Sequence, residues 1–374
     1  WTAIENDFLT DQFFAEGRSL LEQASEVYTE NEVLKMYLGE VKPWTMDIES
    51  TAPHWVQYQH LAINHLLDII DFWIEHRQAE DGQFGGGWGD DVEMWRWMTP
   101  ILLGYNYQPL MESQTKLSNG IFALPRLEDG YTSILTDVEH SSEDSADSIS
   151  PMLLMPETDL IWLERASDIG VLADSLWMSV NDRGYRHFQS TYFTSTEVDS
   201  NPEHACDTPY HTRALQPVLL AWRLGQDEHG TLLTDWLDGW VAATLFDEND
   251  KVSRVPPAAI EFPSGEVGGS PWWNPKCHYS EQTFRFGRGL SLMSDAMMLA
   301  YYKTQDSHYI EWFENLVNLR SEWIADGRPN GEDGDYDWVR KTLRGAVVSA
   351  AKKYWQITGD VEVIEPILGD LDSY

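Results

Sequence analysis

The chain has 374 residues, 62 of them acidic and 25 basic, for a formal net charge of −37. Hydrophobic residues make up 42%, enough to bury a core, so wholesale disorder is excluded. No basic surface is available to release counterions from phosphates, which argues against nucleic acid as partner, and no apolar run reaches the ~18 residues of a membrane span.

Helical periodicity dominates the chain. Residues 8–38 predict a helix with Phe13, Phe14, Leu20, Leu21, Val27, Leu34 and Leu38 at apolar positions. Residues 54–77 predict a second, with Trp55, Tyr58, Leu61, Leu66, Ile69, Ile70 and Trp73 on one broad stripe. Further helices are expected at 90–105, 160–180, 208–225, 230–245, 284–304, 307–325 and 337–358. Short hairpins are expected at 183–193 and 251–262. The acidic, Ser-rich stretch 137–150 and the Gly/Pro stretch 263–276 predict loops. Turns with Asp227, Asp306 and Asp360 separate successive helices at uneven intervals, which suits helical hairpins with loops of varied length.

An internal echo links two of these helices. Asp90, Arg96, Pro100 and Ile101-Leu102-Leu103 repeat, at the same spacing, as Asp207, Arg213, Pro217 and Val218-Leu219-Leu220. Each helix would begin with an acid, carry Arg nearly two turns in, and kink at the Pro.

The segment FRFGRGLSLMSDAMMLAYYKTQD (284–306) resembles the R-G-x-x-(W/L) helix of unsaturated glucuronyl hydrolases, with Leu292 at the last place. GDDVEMWRWMTPILLGY (89–105) is similar to the D-x-x-x-x-x-x-P-x-L helix of the same group. The resemblance implies an all-α fold, an (α/α) toroid of helical hairpins with a few short β-hairpins in its loops. It implies one domain over 1–374, which could be a piece of a longer secreted protein. It also implies that helix N-termini surround one mouth of the ring, where substrate binds.

Several constellations could carry chemistry. Gly82-Gln83-Phe84-Gly85-Gly86-Gly87-Trp88-Gly89 leads into Asp90, Asp91 and Glu93. Asp90-x-x-Glu93 suits helix capping, yet glycines and a Trp ahead of it also suit a ligand approaching the backbone. By the echo, Asp207 matches Asp90, and acid-catalysed glycoside cleavage needs two carboxyl groups flanking the bond. Asp90 or Asp91 with Asp207 would be that pair. Tyr210 or His211, with Arg213 and His204 nearby, would instead suit β-elimination from a uronate. Glu93, Arg96, Arg213 and Arg288 could contact an acidic sugar, or pair with the acids around them. Among 18 Trp, the Gly-flanked Trp88 and the Trp272–Trp273 pair are the candidates for stacking on sugar rings. No cofactor is expected. Calcium at the oxygen-rich loop 326–337 competes there with a plain solvated loop.

Cys206 and Cys277 could form one disulfide or remain two buried thiols. Beginning at Trp1, the sequence reads as the interior of a longer gene product, secreted or periplasmic, its signal peptide out of view. The function expected is a glycoside hydrolase acting on a polysaccharide or oligosaccharide, with or without uronate. The alternatives are a polysaccharide lyase and a non-catalytic glycan-binding protein.

Overall fold

The computed structural model describes residues 10–38, 51–105, 107–128, 130–155, 159–279 and 283–371. Contacts divide the chain into two compact units, Trp1–Ile69 and Ile70–Tyr374. The first carries α1 (Thr10–Val27), α2 (Glu32–Tyr37) and the opening turns of α3 (His54–His76). The helix expected at 8–38 is therefore two, divided at a turn where the Asn31 side chain accepts from Leu34 N at 3.1 Å and starts α2. Residues 8 and 9 lie outside the described residues.

The second unit is mostly helical. In chain order it holds α4 (Trp88–Trp95), α5 (Thr99–Gly104), α6 (Gln108–Phe122), β1 (Leu127–Glu128), β2 (Tyr131–Thr132), β3 (Thr136–Asp137), α7 (Val138–Leu153) and α8 (Leu160–Leu172). Then come β4 (Met178–Val180), β5 (Arg186–Phe188), β6 (Tyr192–Phe193), β7 (Cys206–Asp207), α9 (Gln216–Arg223), α10 (Gly230–Thr244) and β8 (Ile260–Glu261). The chain closes with α11 (Leu290–Thr304), α12 (Ser307–Ala325), α13 (Tyr336–Thr342), α14 (Arg344–Thr358) and α15 (Leu368–Leu371). Helix α6 falls where no helix is expected from the sequence. The strands form two-stranded antiparallel pieces: β1 with β2, β3 with β6, β4 with β5, and β7 with β8. Strands do fall within 183–193 and 251–262, but β6 and β8 pair with distant partners rather than as local hairpins.

The prolines of the echo do not kink helices. Each stands in the first turn of a new helix, Pro100 in α5 and Pro217 in α9, after a 3₁₀ turn that carries the arginine. There the missing N–H costs no helical hydrogen bond. Helix α8 likewise ends early, in a π turn over Ala173–Trp177.

The largest departure is α7. The stretch 137–150, expected as a solvated loop, is the capped start and body of a buried helix. Asp137 Oδ1 accepts from Glu139 N at 3.0 Å and His140 N at 3.3 Å, which starts it. Ser141, Ser142, Ser145, Ser148 and Ser150 are buried along it, as are Asp144 and Asp147. Several of their polar groups find partners inside the protein, whereas Ser148 Oγ and Ser150 Oγ have none. Ser145 Oγ donates to Gly130 O at 2.8 Å, Ser141 meets the Tyr131 hydroxyl at 2.8 Å, and Arg126 donates to Asp144 Oδ2 at 2.7 and 2.9 Å. Such partners offset the cost of burying these groups. Small side chains let α4, α6, α8 and α9 pack closely around α7.

Trp162, Trp177, Trp236 and Trp240 are fully buried in the apolar core, as most tryptophans of such a chain must be. The 3₁₀ turn Pro209–Arg213 lies against both α7 and α11. Its approach to α11 requires Gly289, at φ 72°, because a Cβ there would stand 2.6 Å from Tyr210 N. Cys206 and Cys277 form a disulfide, which ties β7 to the segment preceding His278.

Candidate active site

Three segments deliver charged side chains to one place. Helix α4 supplies Glu93, and the turn after it supplies Arg96. Helix α7 supplies Glu139, Glu143 and Asp147, one turn apart along one face. The turn Pro209–Arg213 supplies Tyr210 and Arg213. Arg96 donates to Glu93 Oε1 at 2.7 Å and to Asp147 Oδ2 at 3.1 Å. Arg213 donates to the same Asp147 oxygen at 2.9 Å and passes 3.8 Å from Glu93 Oε1. Its other terminal nitrogen donates to the Tyr210 hydroxyl at 3.4 Å, which itself donates to Glu139 Oε1 at 3.2 Å.

Glu143 has a different environment. Burial raises its carboxyl, Arg213 lowers it and Glu93 raises it again, to about 7. It is therefore an acid still holding its proton near neutrality. The glycine-rich loop makes room for it: a Cβ on Gly89 would stand 2.6 Å from Glu143 Oε2. Tyr210 is also raised, first by burial, with Arg213 opposing and Glu139 reinforcing, so its hydroxyl keeps its proton.

The carboxylates of the Gly-Gly-Gly-Trp-Gly-Asp-Asp stretch divide their work. Asp91 is buried and folds the loop around itself, accepting from Phe84 N at 2.7 Å, Gly86 N at 2.9 Å and Gly85 N at 3.2 Å. Asp90 is exposed at the start of α4. Trp88 packs edge-on against Gly120 of α6, where a Cβ would meet its ring at 2.7 Å.

Asp207 and His211 require correction as catalytic candidates, because both are fully buried in the core. Asp207 Oδ2 accepts from Trp236 Nε1 at 2.8 Å and Trp240 Nε1 at 3.1 Å and meets His187 Nδ1 at 2.8 Å, while Oδ1 lies 2.9 Å from His211 Nδ1. Burial alone would raise its carboxyl, but the bonds from His187 and His211 outweigh burial and bring it to about 2. It is a structural anion, and His211 stacks on Phe188 with ring centroids 4.2 Å apart. Their neighbour Tyr210 alone of the three reaches the charged cluster.

The expected sugar-stacking pair also divides. Trp272 is buried, edge-on to Phe286, so no sugar reaches its face. Trp273 is half-buried and lines a recess of about 550 Å³ with Asp333 and Asp335, one face carrying the Arg285 guanidinium 4.7 Å from its centre. Helix α11 begins at Leu290, so Arg285 and Arg288 lie in the turn before it rather than on a helix, and Arg288 is exposed outside the cluster. His204 stacks on Tyr192 at 3.9 Å and pairs with Asp199. In the loop 326–337, Arg340 holds Asp326 and Asp337, and Arg285 holds Asp333, so these carboxylates serve protein partners and nothing there points to calcium.

Glu139, Glu143 and Asp147 escape sequence reasoning because their stretch has the composition of a loop. Their spacing of four residues is the signal that could have revealed a helix face. Trp97 is missed as well. It is 71% exposed beside Arg96, whose Cζ lies 5.7 Å from its ring, and is better placed for stacking than either Trp272 or Trp273.

A second acidic group, Asp137 and Glu139 with His278, brings three ligand-type atoms within 4.8 Å of one another, so these residues could bind a metal. His278 and Tyr279 also line a cleft of about 1040 Å³, shared with Glu203, Glu261, Phe262 and Lys276. Comparison of the chain with protein families, with characterised proteins and with solved structures returned no match.

Proposed function

We propose that the protein is a glycoside hydrolase acting on a polysaccharide or oligosaccharide, its helical hairpins arranged as an (α/α) toroid. The observation that carries this reading is Glu143: a carboxyl pushed up to about 7 and coupled to Glu93, in a cluster assembled from three segments. Glycoside cleavage needs one carboxyl protonated and a second ionised, and environments that differ in this way assign the roles. Glu143 is the acid. Glu93, held by Arg96, is the second carboxyl of the pair, with exposed Asp90 on the same helix. Trp97 offers an aromatic face to a sugar ring. Arg96 and Arg213 are both engaged by Asp147, which favours a neutral sugar at this point over a uronate.

The lyase alternative draws on Tyr210, which lies beside Arg213 as a proton-abstracting tyrosine would. Its raised pKa makes it a poor base, and this favours hydrolysis. A glycan-binding protein would keep the cluster without turnover. The disulfide suits an oxidising compartment and hence a secreted or periplasmic protein.

The test is a panel of plant and marine polysaccharides assayed together for new reducing ends and for absorbance at about 235 nm, the unsaturated product of a β-elimination. Reducing ends without absorbance, abolished in Glu143→Gln, support the hydrolase. Absorbance supports the lyase. Binding without either product supports the binding protein.

A further inference from the structure

Asp137 has more to do than cap α7. Its two oxygens are differently engaged. Oδ1 accepts from Glu139 N and His140 N and accounts for the helix start. Oδ2 faces two imidazole nitrogens, His140 Nδ1 at 2.7 Å and His278 Nε2 at 3.3 Å. The first distance is that of a strong hydrogen bond. The second is long for a charge-assisted bond, which runs about 2.7–2.9 Å. It does match the edge of a tetrahedron. Two ligands about 2.0–2.1 Å from one zinc ion stand roughly 3.3–3.4 Å apart.

We propose that Asp137, Glu139 and His278 form a binding site for a divalent transition-metal ion, zinc fitting best, with its open coordination position toward the cleft that His278 and Tyr279 line. The three ligand atoms lie within 4.8 Å of one another. One imidazole and two carboxylates suit zinc or cobalt, whereas calcium and magnesium favour sites built wholly of oxygen. The geometry around the ligands fits the same purpose. Asp137 and His278 are buried, His140 fixes the orientation of the Asp137 carboxylate, and Tyr210 donates to one oxygen of Glu139. Such outer partners orient metal ligands. Phe284 packs edge-on against the His278 ring at 5.0 Å and closes the apolar side of the site. Three protein ligands and one free position is the arrangement of an ion that also contacts a bound molecule. This inference does not rest on the hydrolase reading.

The experiment is calorimetric titration of the EDTA-dialysed protein with zinc chloride, and separately with calcium chloride. The expected result is saturable uptake of one zinc ion per chain and no comparable uptake of calcium. Glu139→Gln and His278→Asn are each expected to weaken zinc at least about tenfold. At the same zinc concentration, zinc should raise the melting temperature of the wild type more than that of the variants. Should His278→Asn fail to fold, Glu139→Gln carries the comparison, because Glu139 is only half-buried. Absence of stoichiometric zinc binding by the wild type, or equal affinity in a folded Glu139→Gln, overturns the proposal. Neither readout involves sugar turnover, so this failure and that of the hydrolase reading are distinguishable.

Discussion

Arg96 and Arg213 meet on one atom: both donate to Asp147 Oδ2, at 3.1 and 2.9 Å. Corresponding positions of the two echoed segments thus converge on α7, while their leading acids part company, Asp90 to solvent and Asp207 to the core.

That sharing sets an order of stabilities. Asp147→Ala removes the close carboxylate partner of the buried Arg213, while Arg96 keeps Glu93, and should cost about 3–5 kcal/mol. Arg96→Ala removes only the more exposed partner and should cost about 1 kcal/mol. Urea denaturation of the two variants checks this. Equal losses would contradict a shared acceptor.

Asp207 should prove a folding residue first. Its folded-state carboxyl is lowered to about 2, so its contribution is present above the unfolded value near 3.8 and is lost as pH falls through about 2. The two values differ by an amount worth about 2 kcal/mol. Asp207→Asn should therefore melt at a lower temperature than wild type at pH 7, the gap shrinking toward pH 2. A variant of normal stability with abolished turnover would return Asp207 to catalysis.

Glu143 has the opposite sign. Its folded-state carboxyl is raised from 4.5 to about 7, so the stability this gives is full below pH 4.5 and lost as pH rises through about 7. Glu143→Gln should accordingly gain about 1–2 kcal/mol relative to wild type at pH 8 compared with pH 5, allowing for partial solvent screening. Wild-type turnover should show a basic limb near pH 7, set by loss of the acid's proton. Gly89→Ala, which pushes a methyl against the Glu143 carboxylate, should move that limb.

The Cys206–Cys277 bond closes a separation of 71 residues. Chain-entropy reasoning assigns such a loop about 4 kcal/mol. Melting with and without reductant should show this loss, and Cys206→Ala/Cys277→Ala should reproduce it without reductant. An unchanged melting temperature in both would show that the bond contributes little.

How much of this could be read from the chain follows from what hydropathy reports. The apolar helices α3, α10 and α12 lie close to their expected bounds because their buried stripes repeat at the helical period. The Asp-Arg-Pro echo located both arginines of the cluster, because their spacing is set by the turn that precedes each proline. Helix α7 was illegible because its buried positions are Ser and Asp, which composition assigns to solvent. Asp207 misled for a related reason. An acid at a segment start looks alike whether it faces a substrate or two indole N–H groups. The pairing of β3 with β6 and of β7 with β8 joins segments far apart, which no local pattern encodes.

A central helix made of serines and aspartates also constrains the order of assembly. Cut out as a peptide, it has poor intrinsic helicity and would remain coil. In the folded second unit its charges are held by the walls that supply Arg96, Arg126 and Arg213, so this helix should form together with those walls rather than ahead of them.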